Sequence, residues 1–201
     1  MTRIKLCGIT RPQDIEVINK INPDYIGFVF APASKRYVNE ETAAALKKQL
    51  SLTVQTVGVF VDETPSIVAE LLNKGVIDLA QLHGHEDETY IHMMRGLTDK
   101  PIIKAFRIKS KDDLINAQGC SADHILLDAG AGDGAVFDWD LLSGYSRPYF
   151  LAGGLDPSNV GEAIKRLHPY AVDVSSGIET DGLKDPIKMR EFCDTVRRFI
   201  T

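Results

Sequence analysis

The sequence predicts a single closed (β/α)8 barrel, and three observations carry that reading. Short apolar runs alternate with amphipathic stretches along all 201 residues. The repeat is roughly 25 residues, the length of one βα unit in a barrel of about 200 residues or more. Two glycine-rich loops follow the seventh and eighth runs, where such a barrel commonly builds an anion site. Several runs are apolar on both faces, as in Tyr25-Ile26-Gly27-Phe28-Val29-Phe30, the pattern of parallel strands covered by helices. A doubly wound open sheet is the alternative; eight strand-like runs with glycine loops after the last two favour closure. No linker or low-complexity stretch interrupts the chain, so residues 1–201 read as one domain.

The elements follow in order. A strand at 4–7 precedes a helix at 12–20 that opens with Pro12, a residue whose fixed φ suits a first turn. A strand at 25–30 leads to a helix at 39–50, with Asn39 as its cap, acids next and lysines near its end, as the helix dipole prefers. A strand at 55–60 precedes a helix at 64–73 that starts Thr-Pro and stops before Gly75. Strands at 79–83 and 102–106 are followed by helices at 86–96 and 111–118. The strand at 124–128 leads to a short helical segment at 138–142, that at 149–152 to a helix at 157–167, and that at 171–174 to a closing helix at 185–200.

Composition narrows the function classes. A hydrophobic fraction of 44% supports a sizeable core, and a net charge of −5 leaves no basic footprint for nucleic acid. The three cysteines, Cys7, Cys120 and Cys193, lack CxxC spacing and suit a reducing cytoplasm better than a disulfide framework. No signal-peptide pattern is visible, and no apolar run approaches the ~20 residues that span a bilayer. His83, His85 and Glu86 share one loop without a further ligand motif, so no metal site is expected. His83 reads as a hydrogen-bonded barrel histidine. The expected partner is a small phosphorylated molecule, and the chain is expected as a monomer or homodimer.

Strand residues alternate between barrel interior and helix layer. Lys5 and Cys7 share a face opposite Ile4 and Leu6; Asp173 and Ser175 share one opposite Val172 and Val174. Gln81 pairs with His83, and His124 with Leu126 and Asp128. The apolar partners belong to the helices, so the polar sets face inward. First and last strands are neighbours in a closed ring, so Lys5 and Asp173 are expected to pair, since a lone buried charge is costly. Lys104 is expected to join them in a polar layer.

The chemistry-bearing residues sit at strand ends. Cys7 closes the first strand and Asp128 the sixth, positions that favour catalysis in a barrel. A carboxyl group on an apolar strand, facing a mouth that holds phosphate, should have its charged form disfavoured, which suits a general acid. Ala152-Gly153-Gly154-Leu155 and Val174-Ser175-Ser176-Gly177-Ile178 are the two candidate phosphate loops. Glycines let backbone N–H groups approach the anion, and Ser175 and Ser176 add hydroxyls. Arg36, in Ser34-Lys35-Arg36-Tyr37-Val38 after the second strand, can grip a carboxylate through two parallel hydrogen bonds. In ring order the phosphate loops lie between acid and thiol, with Arg36 beyond the thiol. A sugar phosphate bearing a carboxylate has the matching shape.

These residues resemble the phosphoribosylanthranilate isomerase family of tryptophan biosynthesis over essentially the whole chain. The markers include Lys5-Leu6-Cys7-Gly8-Ile9-Thr10, Ser34-Lys35-Arg36-Tyr37-Val38, Gln81-Leu82-His83-Gly84, Leu127-Asp128, Phe137-Asp138-Trp139, Leu151-Ala152-Gly153-Gly154-Leu155 and Asp173-Val174-Ser175-Ser176-Gly177. The resemblance implies Cys7 as general base, Asp128 as general acid and Arg36 on the anthranilate carboxylate. It implies phosphate at Gly153-Gly154 and Ser175-Ser176-Gly177, and a cofactor-free Amadori rearrangement. Two departures stand out. Asp133-Gly134-Ala135 replaces a usual Thr-Gly-Lys, and Thr180-Asp181-Gly182 lacks a common proline. Reference pKa values, ~3.9 for Asp and ~8.5 for Cys, favour the wrong form of each group at neutral pH. A cation must support the thiolate, and inward-facing Lys5 is the candidate.

Overall fold

The computed structural model describes residues 1–129, 139–142 and 144–199. Eight strands form its centre: β1 (Arg3–Cys7), β2 (Tyr25–Val29), β3 (Gln55–Phe60), β4 (Leu79–Leu82), β5 (Ile102–Arg107), β6 (His124–Asp128), β7 (Tyr149–Ala152) and β8 (Ala171–Val174). They hydrogen-bond in sequence order and close into a barrel, with β1 pairing in parallel to both β2 and β8. Outside lie α1 (Pro12–Ile21), α2 (Glu40–Lys47), α3 (Pro65–Asn73), α4 (Glu88–Arg95), α5 (Lys111–Gly119), α6 (Val160–Leu167) and α7 (Pro186–Arg198). The closed parallel barrel expected from the sequence is the observed fold.

Caps set the helix starts. Asn39 Oδ1 accepts from Thr42 N at 2.9 Å and opens α2. Asp87 does the same for α4 through Tyr90 N at 3.0 Å, so that helix begins two residues after the expected 86, and Glu86 is left for another task. The segment expected as a helix at 138–142 is a 3-10 turn, Trp139–Leu142; Asp138 and the loop 130–137 lie outside the described residues. After β8 comes a second 3-10 turn, Ser176–Ile178, and then a small antiparallel hairpin of β9 (Glu179–Thr180) and β10 (Leu183–Lys184). Its turn residues Asp181 and Gly182 have φ of 53° and 78°, a conformation proline cannot adopt. The missing proline is thereby explained.

Alternation along the strands splits the core in two. Ile4, Leu6, Ile125, Leu127, Val172 and Val174 face the helices. Tyr25, Val57, Leu79, Ile103, Ala105, Leu126, Phe150, Ala152 and Ala171 fill the barrel. The amino-terminal end is closed by aromatic rings, with Tyr25–Phe150 and Phe150–Tyr170 centroids both 5.5 Å apart. Arg3 lies over the Tyr170 ring and donates to the Tyr25 hydroxyl at 2.7 Å.

The polar layer is smaller than expected. Lys5 stands directly opposite Asp173 in the β1–β8 register, and its Nζ is 2.8 Å from Asp173 Oδ2. Lys104 does not join them. Ile103 and Ala105 take the interior, so Lys104 has the opposite parity. Its Nζ runs to the Gly84 carbonyl and Glu86 Oε2, both at 2.8 Å. Glu86 also accepts from Asp62 N and Gly84 N, so this buried pair ties two mouth loops together.

Candidate active site

A cavity of about 250 Å³ opens at the carboxyl end of the barrel, and Cys7, Arg36, His83, Asp128, Gly153, Gly154, Ser175 and Ser176 all line it. The thiol and the carboxyl group thus share one space, as strand parity requires. A larger cavity, about 750 Å³, lies between α5 and the 3-10 turn Trp139–Leu142. It is open, mostly apolar, and holds none of the expected site residues, so the chemistry is assigned to the smaller one.

Cys7 is 8% exposed. A Cβ at Gly27 would stand 2.6 Å from its Sγ, so only glycine on the neighbouring strand leaves room for the sulfur. Burial pushes the Cys7 thiol above its ordinary value, and Lys5 and Lys184 pull against that rise. Lys5 is the expected cation. Burial alone would push its own pKa down, but Asp173 and Cys7 reverse this and hold it protonated. Lys184 was missing from the sequence reading. It sits on β10, is 4% exposed, and its Nζ bonds Ser175 O at 2.9 Å and Glu179 Oε1 at 2.6 Å.

Asp128 ends β6 with His83 Nε2 at 3.3 Å from Oδ2. Gln81 Nε2 lies 2.8 Å from His83 Nδ1. With the amide donating to Nδ1, the imidazole proton is assigned to Nε2, where it points at the carboxyl group. The histidine expected as a barrel hydrogen-bonding residue is one, and its partner is the candidate acid.

The loop after β7 turns on Gly153 and Gly154, with φ of 96° and 65°. Ser175 and Ser176 lie beside it on the cavity wall. A side chain at Gly177 would collide with the Leu155 carbonyl, so glycine there lets the two loops pack closely. Ser175 Oγ donates to the Cys7 carbonyl at 3.2 Å, joining the loop to the thiol's strand.

Arg36 is not free at the mouth. Its Nε and Nη2 donate to Glu179 Oε1 and Oε2 at 2.6 and 2.7 Å. Glu179 is a second residue the sequence reading passed over. The Asp181-Gly182 pair flanked by short strands was the available signal, because Asp-Gly favours a two-residue hairpin turn.

Comparison with known proteins decides the family. The model of the N-(5'-phosphoribosyl)anthranilate isomerase family matches residues 4–195. The chain belongs to that family. A relative of the same name from Endomicrobium trichonymphae is 44% identical over 202 residues, covering 98% of this chain and 99% of the relative. The crystal structure of the Thermotoga maritima isomerase superposes with a TM-score of 0.92 at 35% identity, covering 99% of this chain and 100% of that one. A further family structure, at TM-score 0.89 and 35% identity with the same coverage, is a complex with reduced 1-(o-carboxyphenylamino)-1-deoxyribulose 5-phosphate. Membership makes the chain an isomerase of the aldose–ketose type, serving tryptophan biosynthesis. No helix among the described residues is long and apolar enough to cross a membrane.

Proposed function

We propose that this chain converts N-(5'-phosphoribosyl)anthranilate into 1-(2-carboxyphenylamino)-1-deoxyribulose 5-phosphate, with Cys7 as general base and Asp128 as general acid. The observation that carries the reading is one cavity lined by a thiol, a carboxyl group, an arginine and two glycine- or serine-rich loops. The phosphate goes to backbone N–H groups at Gly153-Gly154 and to Ser175 and Ser176. The ring carboxylate goes to Arg36. The ribose then lies between Cys7 and Asp128.

Protonated Asp128 gives its proton to the furanose ring oxygen, and the C1'–O bond breaks to leave an iminium. Cys7, as thiolate, takes the proton from C2', and its electron pair moves to form the C1'–C2' double bond of an enolamine. The Cys7 thiol returns a proton to C1' while the C2' hydroxyl gives its proton to the Asp128 carboxylate, which yields the ketone and restores both groups. Each transfer requires heavy atoms within hydrogen-bond reach, about 3 Å. Lys5 and Lys184 favour the thiolate against burial, and the bond from His83 fixes the Asp128 carboxyl group in place. The three buried free thiols suit a reducing compartment such as the cytoplasm.

The test is direct. Freshly made substrate mixed with the protein should lose the fluorescence of its anthranilate group at a rate proportional to enzyme. Loss no faster than the spontaneous rate contradicts the proposal. A metabolite-binding barrel without turnover would give tight binding of the product and no such loss.

A further inference from the structure

Resting on the reading of Arg36 as the carboxylate grip, we propose that Glu179 is the positioning residue for that arginine. It occupies the Nε–Nη2 edge of the guanidinium, leaving the Nη1–Nη2 edge for the substrate's ring carboxylate, while Lys184 ties Glu179 to the loop after β8. A guanidinium has five N–H donors in a rigid fork, with two edges able to bind a carboxylate through parallel bonds. Glu179 takes one edge at 2.6 and 2.7 Å. No other carboxylate among the described residues reaches Arg36. With one edge fixed, the plane and direction of the other are fixed too. The Arg36 stem is confined as well, because it lies against Gly8, where any Cβ would collide with Arg36 Cδ.

The charge balance supports a grip rather than a neutralised pair. Glu179 alone would cancel the arginine. Lys184 Nζ, 2.6 Å from Glu179 Oε1, restores a net positive charge to the trio. Glu179 is itself held rigidly. The β9–β10 hairpin pairs Glu179 with Lys184, and Lys188 Nζ donates to the Glu179 carbonyl at 2.7 Å. Lys184 also donates to Ser175 O. The hairpin therefore links the carboxylate grip at Arg36 to the loop that borders the proposed phosphate site.

The experiment compares two ligands by calorimetry: the reduced product analogue, and the same molecule lacking the ring carboxylate. Glu179→Gln should weaken the first about tenfold and the second by less than about twofold, because misplacing a rigid contact is costly only to the group it serves. In an Arg36→Met background, Glu179→Gln should cause no further loss. Equal weakening of both ligands, or tighter binding of the first through loss of a competitor, overturns the proposal. If Glu179→Gln does not fold, Glu179→Asp, which draws the guanidinium back by one methylene, is read against the same ligands. Arg36→Met alone tests the underlying reading. Should it weaken both ligands equally, Arg36 is not the grip; should it discriminate while the Glu179 variant does not, only the positioning role fails.

Discussion

At its amino-terminal end the barrel is closed by Tyr25, Phe150, Tyr170 and His124, with the Tyr170 and His124 rings stacked 5.8 Å apart and Phe150 fully buried. At its carboxyl end Cys7 closes β1, Asp128 closes β6 and Ser175 follows β8 around a cavity. Gln81 Oε1 and Asp173 Oδ1 there are buried with no hydrogen-bond partner among the described residues. The Tyr25 hydroxyl at the other end receives its bond from Arg3. One end of each strand is built for cohesion and the other for chemistry.

This contrast can be broken in graded ways. The largest effect belongs to the mouth. Cys7→Ala and Asp128→Asn should each lower kcat by about 10³-fold or more, within the range expected for loss of a general acid or base, while calorimetry finds the reduced product analogue bound within a small factor of wild type. Near-normal turnover in either variant removes that residue from its role. At the floor, Phe150→Ala should cost about 3–5 kcal/mol in urea unfolding, with kcat/KM of the folded fraction within about twofold of wild type. A large loss of catalysis in that variant would mean the two ends are coupled. Arg36→Met should raise KM about 30-fold, about 2 kcal/mol, with little change in kcat if the grip is uniform along the reaction. A drop in kcat instead would place Arg36 in the chemical step.

Much of this was legible in the sequence because strand alternation is a strict rule. It placed Lys5, Cys7, Gln81, His83, Asp128 and Asp173 on the inner faces, and ring closure brought Lys5 to Asp173. Alternation says which way a side chain leaves the strand and not how far it reaches. Lys104 is the exception: Ile103 and Ala105 take the interior, so it leaves the strand outward, opposite to the face expected, and its amine ends in the mouth loops. The Gln81–His83–Asp128 chain spans β4 and β6 across the barrel, a separation no local pattern reports. Glu179 and Lys184 lie in a hairpin of two-residue strands, too short for hydrophobic periodicity; only its Asp-Gly turn was a signal. The helix expected at 138–142 became a 3-10 turn, a difference of boundary and pitch rather than of topology.

The most direct measurement compares two titrations of one enzyme. Because the base must be ionised, a thiol held above its ordinary value by burial makes kcat/KM climb as pH rises. The account predicts that the midpoint of this climb coincides with that of Cys7 thiolate ultraviolet absorbance, and that Lys184→Met moves both upward together. A climb that ignores the thiolate midpoint, or that persists in Cys7→Ala, would contradict it.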